Sequence, residues 1–157
     1  MLEKAFNLAL QAHNGQVDKN GKAFILHPYT VSEMVSSEEL KTVAILHDVV
    51  EDTPVTIRRI YEEFPHKIAE AVESITRNDG EVYMDYIKRC SRNELARVVK
   101  VCDLGHNLLP ERRLPGNSDS MRKRYEKALQ YLTDPCDEPD PYEDMIAGFY
   151  AWAKGCI

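Results

Sequence analysis

Four ionisable side chains lie within six residues of an otherwise apolar stretch, AILHDVVEDT, at residues 44–53. They are His47, Asp48, Glu51 and Asp52. In a helix, residues three or four apart share a face, so these side chains would cover one edge of it. Carboxylates crowded beside apolar neighbours raise one another's pKa, and a divalent cation removes that repulsion. The stretch therefore predicts a metal site.

Asp103 is another acidic residue in apolar surroundings, within ARVVKVCDLGHNLL at residues 96–109. Lys100, three residues earlier, and Asn107, four residues later, share its predicted helical face. A buried salt bridge with Lys100 would explain this aspartate as well as metal binding would. Asp103 is therefore a candidate ligand with an ordinary structural alternative.

A third piece of the chain supplies His27, which precedes Pro28 in FILHPYT. The proline is predicted to begin a helix and to fix the imidazole at its junction, where a helix-cap role is the alternative. Two imidazoles and two carboxylates then form one donor set, which suits a borderline divalent ion such as Mn, Fe, Co or Zn. The joint pattern is specific because three predicted helices each contribute to it. The set is His27, His47, Asp48 and Asp103.

The helices that must position these groups follow from apolar residues at three- and four-residue spacing, without any alternating strand pattern. Helices are predicted over Leu2–His13, Pro28–Val35, Glu38–Val50, Ile57–Phe64, Lys67–Ile75, Glu81–Cys90, Asn93–Leu108, Met121–Leu132 and Tyr142–Lys154. Thr56 and Asn93 are predicted N-caps. The fold class is therefore all-α, a single compact helical bundle. The bundle is expected over residues 1–132, an acidic linker over 133–141, and a C-terminal helix over 142–157 packed on the same domain.

The charge composition narrows the classes of molecule that the chain is expected to bind. The 157 residues carry 26 acidic and 20 basic side chains, a net charge of −6 that disfavours nucleic acid. Positive charge is gathered at residues 111–127, with six basic residues against three acidic ones, which favours a small anionic substrate. Trp152 and its aromatic neighbours are expected to dock the terminal helix onto the bundle or onto another copy of the chain, which would form a homo-oligomer.

Two further features predict a cytoplasmic protein. No apolar run approaches the roughly 20 residues that cross a bilayer, so no membrane partner is expected. The N-terminal stretch MLEKAFNLALQAHNG is broken by Glu3 and Lys4 and lacks a cleavage site, so it is predicted to be the first helix. No cysteine pair has CxxC spacing, and reduced thiols are expected at Cys90, Cys102, Cys136 and Cys156.

The motifs resemble those of HD-superfamily phosphohydrolases, and among them the hydrolase domain of the RelA/SpoT-type alarmone enzymes and its stand-alone small relatives. The matching pieces, in family order, are AHNGQ, KNGKAFILHP, AILHDVVEDT, VKVCDLGHNL and KRYEKALQYL. The resemblance implies an HD-type bundle and the same four ligands around one divalent ion, typically manganese. It also implies Glu51 and Asp52 as the catalytic acidic pair and Asn107 as a substrate contact. The implied reaction removes the 3′-pyrophosphate from guanosine tetra- or pentaphosphate.

One departure from the family bears on the substrate. The family loop reads GQ-x-R-K-S-G, and its arginine stacks on guanine, whereas GQVDKNG has Asp18 there and keeps Lys19. An aspartate cannot stack as a guanidinium does, so base recognition is altered or supplied elsewhere. Arg112 and Arg113 are predicted to compensate by binding the pyrophosphate end, and Lys19 is a further predicted contact. Two alternatives stay open: a phosphohydrolase for another nucleotide, and a non-catalytic nucleotide-sensing domain.

Overall fold

The computed structural model describes residues 1–112 and 119–134, which fold into nine α-helices and one short 3-10 helix. The α-helices are α1 Leu2–Ala12, α2 Leu26–Glu33, α3 Glu38–Leu46, α4 Val49–Asp52, α5 Ile57–Glu63, α6 His66–Ile75, α7 Tyr83–Cys90, α8 Glu94–Leu108 and α9 Asp119–Thr133, and the 3-10 helix is Pro110–Arg112. In the described ranges the only β-type pairing is an isolated bridge between Val17 and Ala23. The all-α prediction is confirmed.

Helices α3 and α8 form the centre of the bundle. Helix α3 packs against α1, α2, α6 and α8, and α8 also packs against α2, α6 and α9. Most of α8 is buried, including Val98, Val99 and Val101 on neighbouring faces. A helix that is apolar on most sides must lie inside the bundle, so its polar residues Asp103 and His106 are carried into the core.

Side-chain caps fix where several helices begin. The Thr56 hydroxyl accepts a hydrogen bond from the Arg59 amide at 3.4 Å, and the Asn93 side chain accepts one from the Ala96 amide at 3.0 Å. Both predicted caps are confirmed, and each is worth about 1 kcal/mol. Ser37 caps α3 in the same way, accepting from Leu40 at 3.1 Å.

The single helix predicted over Glu38–Val50 is wrong, because α3 ends at Leu46 and α4 begins at Val49. His47 and Asp48 form the turn between them. The His47 Nδ1 atom donates to the Ala44 carbonyl at 2.7 Å. In an uninterrupted helix that carbonyl would accept from the amide of residue 48. The imidazole therefore takes the place of a backbone donor at this point.

A second correction concerns α2, which begins at Leu26 rather than at Pro28. His27 is therefore inside the first turn, and Pro28 follows it there, where its missing N–H leaves no bond unmade. The remaining helix bounds agree with the predicted ones to within two residues. Helix α9 includes Thr133; the predicted linker beyond Asp134 and the helix Tyr142–Lys154 lie outside the described residues.

Two of the four cysteines can be described. Cys90 and Cys102 are free thiols, as predicted; both are buried, and burial raises their pKa to about 12. Cys136 and Cys156 lie outside the described residues. Among the helices of residues 1–112 and 119–134, none is long and apolar enough to cross a membrane.

Candidate metal centre and its cavity

Helix α2, the turn between α3 and α4, and helix α8 bring imidazole and carboxylate groups together. One ligand atom from each of His27, His47 and Asp103 lies within 4.8 Å of the others. The Oδ1 atom of Asp103 is 3.0 Å from Nε2 of His27 and 3.7 Å from Nε2 of His47. All three side chains are buried.

Asp48 adds a fourth donor atom on the more open side. Its Oδ2 atom lies 3.2 Å from His47 Nε2 and 3.6 Å from His27 Nε2, and its side chain is 21% exposed. Three of the four predicted ligands therefore form one close group, and Asp48 lies beside its two imidazoles at the edge. The open side faces a cavity, where coordination positions would be left for water and substrate.

The orientation of the His47 ring shows whether its free nitrogen could bind a metal ion together with the other candidate ligands. Because Nδ1 donates to the Ala44 carbonyl, the neutral ring carries its lone pair on Nε2. That Nε2 atom is buried and has no hydrogen-bond partner among the described residues. Asp48 and Asp103 face this atom and favour a proton on it, and a metal cation bound there would take the place of that proton. The donor set suits a borderline divalent ion.

The side chains alone shift one another's protonation. Burial would lower the pKa of His47, but Asp48 and Asp103 raise it well above its ordinary value. Burial would raise the pKa of Asp103, but Lys100 and the two imidazoles hold it well below. Burial would also raise the pKa of Asp48, but His47 and His27 together lower it below its ordinary value. The prediction that crowding raises the carboxylate pKa values is thus wrong for Asp48, because imidazoles face it.

Lys100 does form the buried salt bridge that was the alternative explanation of Asp103. Its Nζ atom lies 2.7 Å from Oδ2 of Asp103. The other carboxylate oxygen, Oδ1, faces the imidazoles and accepts from Asn107 Nδ2 at 2.6 Å. The carboxylate therefore has one oxygen in the salt bridge and one in the candidate metal centre, so the two explanations are compatible.

His106 belongs to this centre, and sequence reasoning missed it. Its Nδ1 atom lies 2.7 Å from Nδ1 of His27, with the two ring planes 11° apart. Burial is the main cause, and the nearby His27 ring the second, of a pKa of His106 lowered to about 4, which keeps this ring neutral. The available signal was its position three residues after Asp103, which puts both on one helical face.

The acidic pair lies at the cavity edge on α4, where both side chains are exposed. The Oε2 atom of Glu51 accepts from the Arg77 amide at 3.1 Å. The Asp52 carbonyl accepts from the Gln16 side chain at 2.9 Å, and Gln16 is itself hydrogen-bonded to His13 at 2.8 Å. Desolvation, together with Asp48 and Glu51, raises the pKa of Asp52 to about 6, as crowding predicts.

The centre opens into a cavity of about 420 Å³, within the range of small-ligand sites. Basic side chains line it at several points, and aromatic side chains line it beside them. The basic residues are Lys19, Arg77, Lys100, Arg112 and Arg124, and the aromatic ones are Phe24, Tyr83, Tyr86 and Tyr125. Five acidic side chains, those of Asp18, Asp48, Glu51, Asp52 and Asp103, line it too, so the cavity presents cations beside the acidic centre and is not basic throughout.

Arg77 and Arg124 are cavity residues that sequence reasoning did not name. The Arg124 guanidinium lies 4.6 Å from the Tyr83 ring centroid, and that of Arg77 lies 5.9 Å from it. The Tyr83 hydroxyl is buried without a hydrogen-bond partner in the described part of the chain, and burial raises its pKa to about 12. This wall can therefore offer cations to a ligand.

Asp18 has a structural role in the loop. Its Oδ1 atom accepts from the amides of Asn20 and Lys22 at 2.8 and 2.9 Å, which closes the turn. Its Oδ2 atom lies 3.8 Å from Arg112 Nη1, and Arg112 Nε donates to the Asn107 side chain at 3.2 Å. Asp18 and Asn107 thus hold the Arg112 guanidinium between them at the cavity wall.

Three of the four predicted substrate contacts can be located in the structure. Lys19, Asn107 and Arg112 all line the cavity. Lys19 is exposed, whereas Arg112 and Asn107 are partly buried and hydrogen-bonded to each other. Arg113 lies outside the described residues.

Comparison with known proteins assigns the chain to a family. The model of the HD domain family matches residues 5–98, and the chain belongs to that family. Among curated relatives, a probable GTP pyrophosphokinase of Mycobacterium leprae is 30% identical over 79% of this chain and 17% of its own. The guanosine-3′,5′-bis(diphosphate) 3′-pyrophosphohydrolase of Haemophilus influenzae is 31% identical over 64% of this chain and 17% of its own.

A third relative, the bifunctional (p)ppGpp synthase/hydrolase SpoT of Escherichia coli, is 36% identical over 54% of this chain and 12% of its own. The chain therefore spans less than a fifth of the length of these relatives. Among solved structures, a metazoan ortholog of SpoT that hydrolyzes ppGpp has a TM-score of 0.75 at 20% identity, covering 99% of this chain and 96% of that one. It shares the fold, and the resemblance seen in the sequence is confirmed.

Proposed function

We propose that this chain is a metal-dependent phosphohydrolase that removes the 3′-pyrophosphate from guanosine tetra- or pentaphosphate. One observation carries the proposal: a buried group of two imidazoles and one carboxylate, with the half-buried Asp48 beside it and an unpartnered His47 Nε2, opens into a cavity whose walls carry basic side chains. The names of the Haemophilus and Escherichia relatives support this substrate class. The similarity in fold to the metazoan ortholog agrees with it.

In this proposal one divalent ion, with manganese as our choice, is held by four side chains. They are His27, His47, Asp48 and Asp103. When bound there, such an ion would lower the pKa of a coordinated water and would neutralise charge on the phosphate. Lys100 supports the ligand geometry, since its 2.7 Å salt bridge fixes the Asp103 carboxylate.

The acidic pair supplies proton transfer in this scheme. A general base works best when its pKa lies near the working pH, which favours Asp52, whose pKa is about 6, as the proton acceptor. Glu51, held by the Arg77 amide, orients water or the leaving group. Proton transfer of this kind is worth roughly a hundredfold to ten-thousandfold in rate.

The anionic nucleotide is bound by the basic wall of the cavity. Arg112, oriented by Asp18 and Asn107, presents a guanidinium whose paired donors match phosphate oxygens. Lys19 adds charge from the facing loop. The closed turn at Asp18 leaves no stacking arginine there, and this favours a second candidate function, a phosphohydrolase for another nucleotide.

The test is a substrate panel with manganese. Guanosine tetra- and pentaphosphate, other nucleotides and dinucleotide phosphates are incubated with the protein, and released pyrophosphate or phosphate is quantified. Preferred release of pyrophosphate from the 3′-pyrophosphorylated guanosine nucleotides supports the proposal. Preferred turnover of another nucleotide supports the second candidate, and binding without turnover supports a nucleotide sensor. The cytoplasmic location and the homo-oligomer stay predictions.

A further inference from the structure

In both candidate imidazole ligands Nε2 faces the centre, but the Nδ1 atom on the other side of the ring has a different kind of partner in each. His47 donates from Nδ1 to the Ala44 carbonyl, which can only accept, so its tautomer is fixed by the backbone. His27 has another imidazole behind it, with His27 Nδ1 and His106 Nδ1 only 2.7 Å apart. Their ring planes are 11° apart and both rings are buried.

A hydrogen bond between two ring nitrogens uses one proton, so it can run in either of two directions. If His106 donates, the neutral His27 ring has its proton on Nε2, which points at Asp103 Oδ1 at 3.0 Å. That proton would occupy the position of a metal ion. If His27 donates from Nδ1, its Nε2 atom has a free lone pair directed at the centre.

We propose that His106 is a positioning residue that selects the metal-binding tautomer of His27 by accepting a hydrogen bond from its Nδ1 atom. The inference rests on the proposed metal site, and it does not depend on which nucleotide is hydrolysed. His106 then carries its own proton on Nε2. Metal-ligating histidines commonly donate their second ring N–H to an acceptor, and loss of such an acceptor typically weakens metal binding tenfold to a hundredfold.

Two variants separate the hydrogen bond from packing. In His106→Leu the acceptor is lost, and we expect the dissociation constant for zinc or manganese to rise about tenfold to a hundredfold. In His106→Asn the side-chain oxygen can accept near the Nδ1 position, and affinity should stay within about threefold of wild type. His66→Leu is the control, because His66 is a histidine on α6 that pairs with Glu70 at 3.2 Å and does not line the cavity, so metal affinity should stay at the wild-type value. Thermal melts establish that each variant is folded.

The tautomers themselves are read by two-bond nitrogen–proton NMR correlations on the full chain loaded with zinc, which is diamagnetic. We expect the proton of His27 on Nδ1 and that of His106 on Nε2. A zinc-loaded protein with the proton on Nδ1 of His106, or a His106→Leu variant that binds metal as tightly as wild type, would overturn this inference alone. A wild-type chain that binds neither zinc nor manganese would overturn the metal site and the inference with it.

Discussion

The Nδ1 atom of His47 donates to the carbonyl of Ala44 at 2.7 Å, and helix α3 ends one residue before this histidine. Adjacent residues of a continuous helix point about 100° apart. The turn at His47 and Asp48 instead lets both side chains face the same centre, with His47 Nε2 and Asp48 Oδ2 3.2 Å apart. One side-chain hydrogen bond thus fixes the imidazole tautomer and occupies the carbonyl at the end of α3.

Asp103→Asn should abolish metal binding and also destabilise the fold, because it leaves the Lys100 ammonium buried without its partner. Breaking a buried pair in this way typically costs about 3–5 kcal/mol of unfolding free energy. The double variant Asp103→Asn with Lys100→Met removes the unpaired charge and should regain part of that stability without regaining metal. Urea unfolding and calorimetric metal titration check both expectations. Equal stability of the single and double variants would contradict the role given to the salt bridge.

Asp52→Asn should keep metal affinity and lose about a hundredfold to ten-thousandfold in kcat, because the proposed proton acceptor is removed while the four ligands remain. Glu51→Gln should lose less, since the Arg77 amide can still donate to the remaining oxygen. Asp85→Asn is the control, because Asp85 is an exposed acidic residue on α7, and it should change neither metal affinity nor kcat. Full activity of Asp52→Asn under saturating metal would assign proton transfer to another group.

The raised pKa of Asp52 also predicts how stability depends on pH. Between the ordinary value of 3.8 and about 6 the folded protein binds more protons at this group than the unfolded chain does. Stability from this group is therefore fully present below 3.8 and is lost as the pH rises through about 6.

With a chelator present to remove metal ions, the Tm of Asp52→Asn minus the Tm of wild type should therefore increase as the pH rises from 4 to 7.5. Because the Asp52 side chain is exposed, added salt should reduce the difference. Thermal melts over this range measure it. A pH-independent difference in Tm between variant and wild type would show that the carboxylate is not perturbed.

The helices could be predicted because their signals are local. Apolar spacing identifies α1, α6 and α8, and Thr56 and Asn93 form the caps that their residue types suggest. The interruption after α3 could not be read in this way, because the apolar pattern continues through Val49 and Val50. The feature that accompanies the end of the helix is the hydrogen bond of the His47 ring to the Ala44 carbonyl, a contact that the apolar pattern does not encode.

The candidate centre was more predictable than the cavity around it. The four candidate ligands stand out because they are ionisable residues in apolar stretches, whereas His106 in the same stretch resembles an ordinary core histidine. The role of Asp18 had a local signal, since Asp-x-Asn-Gly is typical of a turn closed by the aspartate side chain. The contact of Asp18 with Arg112 joins residues far apart in the chain, so only the fold could reveal it.

Arg112→Ala should raise KM for the nucleotide about tenfold to a hundredfold with a smaller change in kcat, because a charged hydrogen bond worth about 1.5–3 kcal/mol is lost. Asp18→Asn should raise KM less, since it weakens the 3.8 Å ion pair but leaves Asn107 bound to Arg112. Arg122→Ala is the matched control: Arg122 lies on α9 and pairs with Glu126 at 2.7 Å. Steady-state kinetics with manganese measure all three. A KM for Arg112→Ala equal to that of Arg122→Ala would mean that the guanidinium beside Asp18 does not touch the substrate, and that the basic wall acts through Lys19, Arg77 or Arg124 instead.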